Sequence, residues 1–146
     1  LVRSRGLGDV YKRQAVELLS GEGVPTDTVR TGERVTVRVR AEFVCGVEDL
    51  VVGMLIRNRL GVDVFGTNTR LEGRSLGAFR AGERVEVEFE FECLLGQHEY
   101  TLTVATQHWD GASQDWLDDV LSFRVMDPRG GTGAASLPTE VRWRRA

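Results

Sequence analysis

Between residues 33 and 43 apolar and polar side chains alternate without a break. Val35, Val37, Val39, Ala41 and Phe43 are set against Arg34, Thr36, Arg38, Arg40 and Glu42. A period of two marks a β-strand with one buried and one wet face. Thr31-Gly32, just ahead, supplies a turn. The pattern returns at residues 84–93, with Val85, Val87, Phe89, Phe91 and Cys93 facing in and Glu86, Glu88, Glu90 and Glu92 facing out. Four glutamates on one strand face repel one another unless a basic strand lies beside them. The arginines of the first strand meet that need. The two strands are therefore expected as antiparallel neighbours, like strands B and E of an immunoglobulin-like sandwich.

Weaker patterns fill in the rest. Residues 50–57 are almost all apolar and predict a central strand, buried on both sides or carrying an interface. Asn58-Arg59-Leu60-Gly61 turns the chain into a hairpin partner at residues 62–69. Tyr100, Leu102 and Val104 alternate with Thr101, Thr103 and Ala105, and Tyr100 follows Leu95-Gly96 as the tyrosine of a tyrosine corner does. Leu121, Phe123 and Val125 point inward from a strand at 120–126, a short strand is expected at 15–19, and a turn or two of helix at 113–118. Residues 127–138 are rich in Pro and Gly and read as a flexible link to a terminal strand at 139–144. Short strands separated by Gly-rich turns give an all-β fold, an immunoglobulin-like antiparallel β-sandwich of about 7–9 strands.

The 146 residues suffice for one domain with a single core. The first fourteen residues look foreign. Asp9-Val10-Tyr11-Lys12-Arg13-Gln14 can be encoded by the mosaic-end adapter of transposase sequencing libraries, so residues 1–14 are set apart and residues 15–146 are taken as the domain. On that reading the chain is a piece of a longer product. Without the segment the domain has fifteen arginines, no lysine and twenty-one acidic residues, a net charge of −6. So acidic a domain argues against a nucleic-acid partner. No apolar run approaches the roughly 20 residues of a membrane span, which argues against direct membrane insertion. Cys45 and Cys93 fall at opposite ends of the two paired strands, about 30 Å apart at ~3.3 Å per residue, and are expected as free thiols.

Catalytic chemistry finds little footing. The only lysine is Lys12, so no P-loop lies within the chain. Cys45, Cys93, His98 and His108 lack metal-ligand spacing, and no nucleophile elbow occurs. The chain is read as no enzyme, with no metal and no cofactor. Carbohydrate binding has better support. A sugar needs an aromatic platform flanked by amide, carboxylate or hydroxyl groups. His108-Trp109-Asp110 and Gln114-Asp115-Trp116 supply that mix within one loop region. The candidate carbohydrate contacts are Trp109, His108, Asp110, Gln114, Asp115 and Asn68, with Trp109 the expected exposed ring. Trp116 and Leu117 are expected to cap the core, and Phe65 to lie in it.

Two motifs carry a family resemblance: Val64-Phe65-Gly66-Thr67-Asn68-Thr69, and Asp115-Trp116-Leu117-Asp118-Asp119-Val120-Leu121-Ser122-Phe123. With the Gly96 and Tyr100 turn between them, and Leu137-Pro138 followed by Trp143, the chain resembles the C-terminal domain of Wzt-type ATP-binding subunits of polysaccharide-exporting ABC transporters. The resemblance implies a cytoplasmic domain, peripheral to the inner membrane through its transporter and preceded by its own ATPase domain. It further implies a homodimer, in some members made by exchange of the last strand, that recognises a lipid-linked, O-antigen-like polysaccharide and couples recognition to export. Two alternatives stand beside it: a dimerisation or spacer sandwich without a sugar site, and an unrelated extracellular adhesion domain.

Overall fold

The computed structural model describes residues 2–5, 12–107 and 114–145, with backbone alone for 2–5, 12–13 and 114–115. Nine strands form two sheets and no helix occurs among the described residues. In chain order the strands are β1 (Val2–Arg5), β2 (Lys12–Leu19), β3 (Thr28–Arg30), β4 (Arg34–Phe43), β5 (Val51–Asn58), β6 (Asp63–Asn68), β7 (Arg84–Glu92), β8 (Glu99–Gln107) and β9 (Gln114–Met126). One sheet runs β1-β2-β4-β7 and the other β3-β9-β8-β5-β6. All pairings are antiparallel except the short β3–β9 contact, which is parallel.

The pairing expected from charge is present. β4 and β7 are antiparallel neighbours with Thr36 opposite Glu90, Arg38 opposite Glu88 and Arg40 opposite Glu86. Arg34 reaches Glu90 at 2.8 Å, Arg38 reaches Glu88 at 3.2 Å and Arg40 reaches Glu86 at 3.2 Å. These pairs lie on the wet face, so they fix register more than they add stability. On the inner face Val35, Val37, Val39 and Phe43 of β4 meet Val52, Met54 and Ile56 of β5 and Leu102 and Val104 of β8 in one core. Tyr100 is buried, and its hydroxyl donates to the Gly96 carbonyl at 2.7 Å, closing the tyrosine corner. Cys45 is exposed and Cys93 buried, both unpaired.

Two expectations are corrected. The helical turn at 113–118 is replaced by strand from Gln114 onward, because Trp116 and Leu117 pair with Ala105 and Val104 of β8; Ser113 lies outside the described residues. Phe65 is not core. It sits on the edge strand β6, 37% exposed, its ring 5.4 Å from Phe91 where the two sheets gape. The terminal strand at 139–144 pairs with no described strand of the chain, and Val141 and Trp143 stand 80% and 82% exposed. Where composition suggests a loose link, residues 127–136 are fastened. Buried Asp127 accepts from the Arg129 and Gly131 amides at 3.0 Å each, and Gly96 N–H donates to Ala134 O at 3.0 Å. A Cβ at Gly96 would overlap the Gly133 carbonyl, so only glycine permits this docking. Of the segment set apart in the sequence, Val2–Arg5 forms β1 and residues 12–14 pair with residues 41–43 of β4. No helix among the described residues is long and apolar enough to cross a membrane.

Candidate functional site

The alternation of β5 decides which residues face outward on the five-stranded sheet. Val52, Met54 and Ile56 are buried inward, so Gly53, Leu55 and Arg57 point out. Register then assembles a row across four strands: Gly53 lies opposite Asn68 of β6 and Ala105 of β8, and Ala105 lies opposite Trp116 of β9. Two small residues between an amide and an indole leave a trough about 14 Å long, at ~4.8 Å per strand. Val51, Met54, Leu55, Gly66, Thr67, Leu71 and Gln107 complete the lining of a groove of about 230 Å³. Trp116 is 46% exposed over it, whereas Leu117 is buried. Trp116 therefore does not cap the core; only Leu117 does.

The glycines keep the groove open. A Cβ on Gly53 would come within 3.3 Å of the Asn68 Cβ, and one on Gly66 within 3.0 Å of a Leu55 methyl. The polar residues of the first motif fix the end of β6. Asn68 Oδ1 accepts the Leu71 amide at 2.7 Å, Thr67 Oγ1 donates to Glu72 at 2.7 Å, and Thr69 Oγ1 accepts the Val52 amide at 3.2 Å. This Asx-type turn holds Leu71 at the groove's edge. Asn68 thus shapes the rim with its carbonyl and leaves its NH₂ group for other partners.

Just beyond Trp116 and Leu117 the β8–β9 pairing bulges. β8 runs from Leu102 to Val104 while β9 runs from Leu121 back to Leu117, which leaves Asp118, Asp119 and Val120 opposite Thr103 alone. Asp119 takes a left-handed conformation, φ 47°, and its amide donates to the buried Thr103 hydroxyl at 3.1 Å. Arg57 ties the bulge to the β5–β6 hairpin, with Asp63 at 2.9 Å and Asp118 at 3.5 Å. The Asp63 hydrogen bond and the two carboxylate charges raise the Arg57 guanidinium pKa further. A second depression, about 430 Å³, lies at the other end of the same face. It is polar, with Arg124 and Glu99 bridged at 2.5 Å, a contact that lowers the Glu99 pKa. It brings together none of the expected site residues. Among the described residues no cluster of His, Cys, Asp or Glu is arranged to hold a metal.

The sequence model of the Wzt C-terminal domain matches residues 12–137, most of the chain. The chain belongs to this family. A crystal structure of the C-terminal domain of Wzt superposes with a TM-score of 0.78 at 19% identity, over 88% of this chain and 81% of that one. Looser likenesses are a family 123 glycoside hydrolase from Clostridium perfringens, with TM-score 0.48, 8% identity and coverage of 78% and 27%, and a CARDB domain from Pyrococcus furiosus, with TM-score 0.47, 12% identity and coverage of 84% and 94%. No curated protein sequence matches the chain. A Wzt C-terminal domain is a non-catalytic module of an ABC transporter family.

Of the contacts expected for this Wzt domain, Asn68 lies in the groove. Gln114 and Asp115 open β9, opposite Gln107 and Thr106, which puts the Gln114 backbone beside the groove's end. His108, Trp109 and Asp110 lie outside the described residues. Trp116, Gln107, Leu55 and Leu71 are among the lining residues that sequence reasoning did not select. One signal was available: a glycine inside an apolar strand, such as Gly53, marks a place where another group comes close to the backbone.

Proposed function

We propose that this domain is the polysaccharide-recognition module of an O-antigen-type ABC exporter. It binds a lipid-linked glycan and couples that binding to export by an ATPase domain upstream. The observation that carries the reading is the row Asn68–Gly53–Ala105–Trp116, an exposed indole and an amide at either end of a trough with a flat floor. A pyranose ring lays its C–H face on an aromatic and its hydroxyls on amides, and this groove offers both. Membership of an ABC transporter family supports the exporter context, and with it a cytoplasmic place at the inner membrane. The test is calorimetric titration of the whole chain with the surface polysaccharide of its source, beside unrelated glycans. Saturable, selective binding supports the reading; no heat at millimolar glycan refutes it.

Homodimerisation is part of the same proposal. Leu137, Val141 and Trp143 are 68–82% exposed, and Val141 and Trp143 have strand spacing. An unpaired apolar segment of this kind suits the sheet edge of a second copy. Should the chain sediment as a dimer that loses its partner when residues 137–146 are removed, and bind no glycan, the spacer reading replaces recognition.

A further inference from the structure

We infer that the groove selects an uncharged sugar bearing a methyl group, a 6-deoxyhexose or an acetamido sugar, and discriminates against uronic acids and phosphorylated sugars. This rests on the glycan reading above and narrows its ligand class.

Charge is the first argument. None of the described residues lining the groove is ionisable. Arg57, two residues beyond Leu55 on β5, is engaged by Asp63 and Asp118, and Arg70, next to Leu71 in the chain, by Asp49 at 3.7 Å. An anionic sugar would give up water without meeting a cation among the described lining residues. The second argument is the character of the walls. Leu55, Leu71 and Val51 stand around the floor of Gly53, Gly66 and Ala105, and Leu71 is 71% exposed. A sugar hydroxyl turned toward these walls loses its hydrogen bond to water and gains none. A methyl group in the same place removes apolar surface from water on both sides. The third argument is the short supply of polar partners. Among the described lining residues the hydroxyl and amide side chains are those of Thr67, Asn68 and Gln107, and two of these are partly engaged, the Asn68 carbonyl by the Leu71 amide and the Thr67 hydroxyl by Glu72. That set suits a ring with few hydroxyls turned inward.

The experiment compares four probes by calorimetry on the whole chain: a rhamnose polysaccharide, an N-acetylglucosamine oligomer, a mannan and a galacturonic-acid oligomer, each at low and high salt. One of the two methyl-bearing probes should bind at least about tenfold tighter than mannan, the discrimination expected of one methyl-sized contact in an apolar site. Which of the two it is separates deoxy from acetamido recognition. The acidic oligomer should be weakest at both salt concentrations. In Leu71→Ser, a change at an exposed rim position, the preference over mannan should collapse while the thermal midpoint holds. Mannan binding as tightly as the methyl-bearing probes, or tightest binding by the acidic oligomer, overturns the ligand class and leaves glycan recognition intact. Binding of no probe at millimolar concentration overturns the ligand class and counts against recognition itself. Unaltered selectivity in Leu71→Ser overturns the assignment of the walls.

Discussion

Trp116→Ala tests the groove most directly. Fully burying a tryptophan side chain removes about 150–250 Å² from water. With 46% of Trp116 exposed, some ~70–115 Å² of that surface is open to a ligand. A sugar covering between half and all of it gains roughly 1–3 kcal/mol at ~25 cal/mol per Å², or about 5- to 150-fold in Kd. The other half of the side chain is already buried, so by the same arithmetic the substitution should cost the fold about 2–3 kcal/mol. Calorimetric titration gives the affinity, and a thermal melt run beside it confirms that the variant is folded. Trp116→Phe should recover part of the loss, because a smaller aromatic face remains. Gly53→Val, which fills the trough from below, should abolish binding by an independent route. If Trp116→Ala and Gly53→Val both bind within about threefold of the parent, the ligand sits elsewhere and the groove is not the site.

Other consequences concern the scaffold. Tyr100→Phe keeps the buried ring but leaves the Gly96 carbonyl without its 2.7 Å donor. The loss should be ~1–2 kcal/mol in urea denaturation, and a change below about 0.3 kcal/mol would mean the corner bond is idle. Gln14 is buried beside Thr106, and its Oε1 has no partner among the described residues. Gln14→Leu should therefore stabilise the domain by ~1 kcal/mol, whereas destabilisation would show that the amide is satisfied. The Asp127 carboxyl pKa is depressed, first by the Arg129 amide and then by that of Gly131, against the opposing effect of burial. A depressed folded pKa gives stability that is complete above the ordinary aspartate value of 3.8 and fades as pH falls through the lower folded value. Protection of the Arg129 and Gly131 amides, taken relative to their intrinsic exchange rates, should fall over that acid window in the parent and be low already at neutral pH in Asp127→Asn; equal protection in both would sink the assignment.

Much of the scaffold can be read from side-chain pattern, because each readable element has a partner in sequence that constrains it. The glutamates of β7 require the arginines of β4, and that requirement fixes both adjacency and direction. The hairpin of β5 and β6 follows from an apolar run, a four-residue turn and a second run. Elements that answer to partners far along the chain are harder to read. Phe65 looks like core by composition, yet its place on an edge strand is set by where the sheet stops.

The site is harder still, and the reason lies in the β9 bulge. Two extra residues between Leu117 and Leu121 turn inward positions 117, 120 and 121 into a spacing of three and four, the mark of a helix face. With the phase hidden, Trp116 reads as a partner of Leu117 in the core instead of its opposite on the outer face. The bulge that conceals Trp116 in the sequence follows it two residues on in the chain and is latched by Arg57 and by the Thr103 hydroxyl. Asp119 carries the backbone cost of that bulge, a left-handed conformation worth about 1 kcal/mol for a residue with a Cβ. A sandwich built for stability alone gains nothing from an irregular strand, an exposed indole and two open glycines in one place. Their convergence on one face is the reason to look for the ligand there, and not in the larger polar depression at the other end, where Arg124 and Glu99 already satisfy each other.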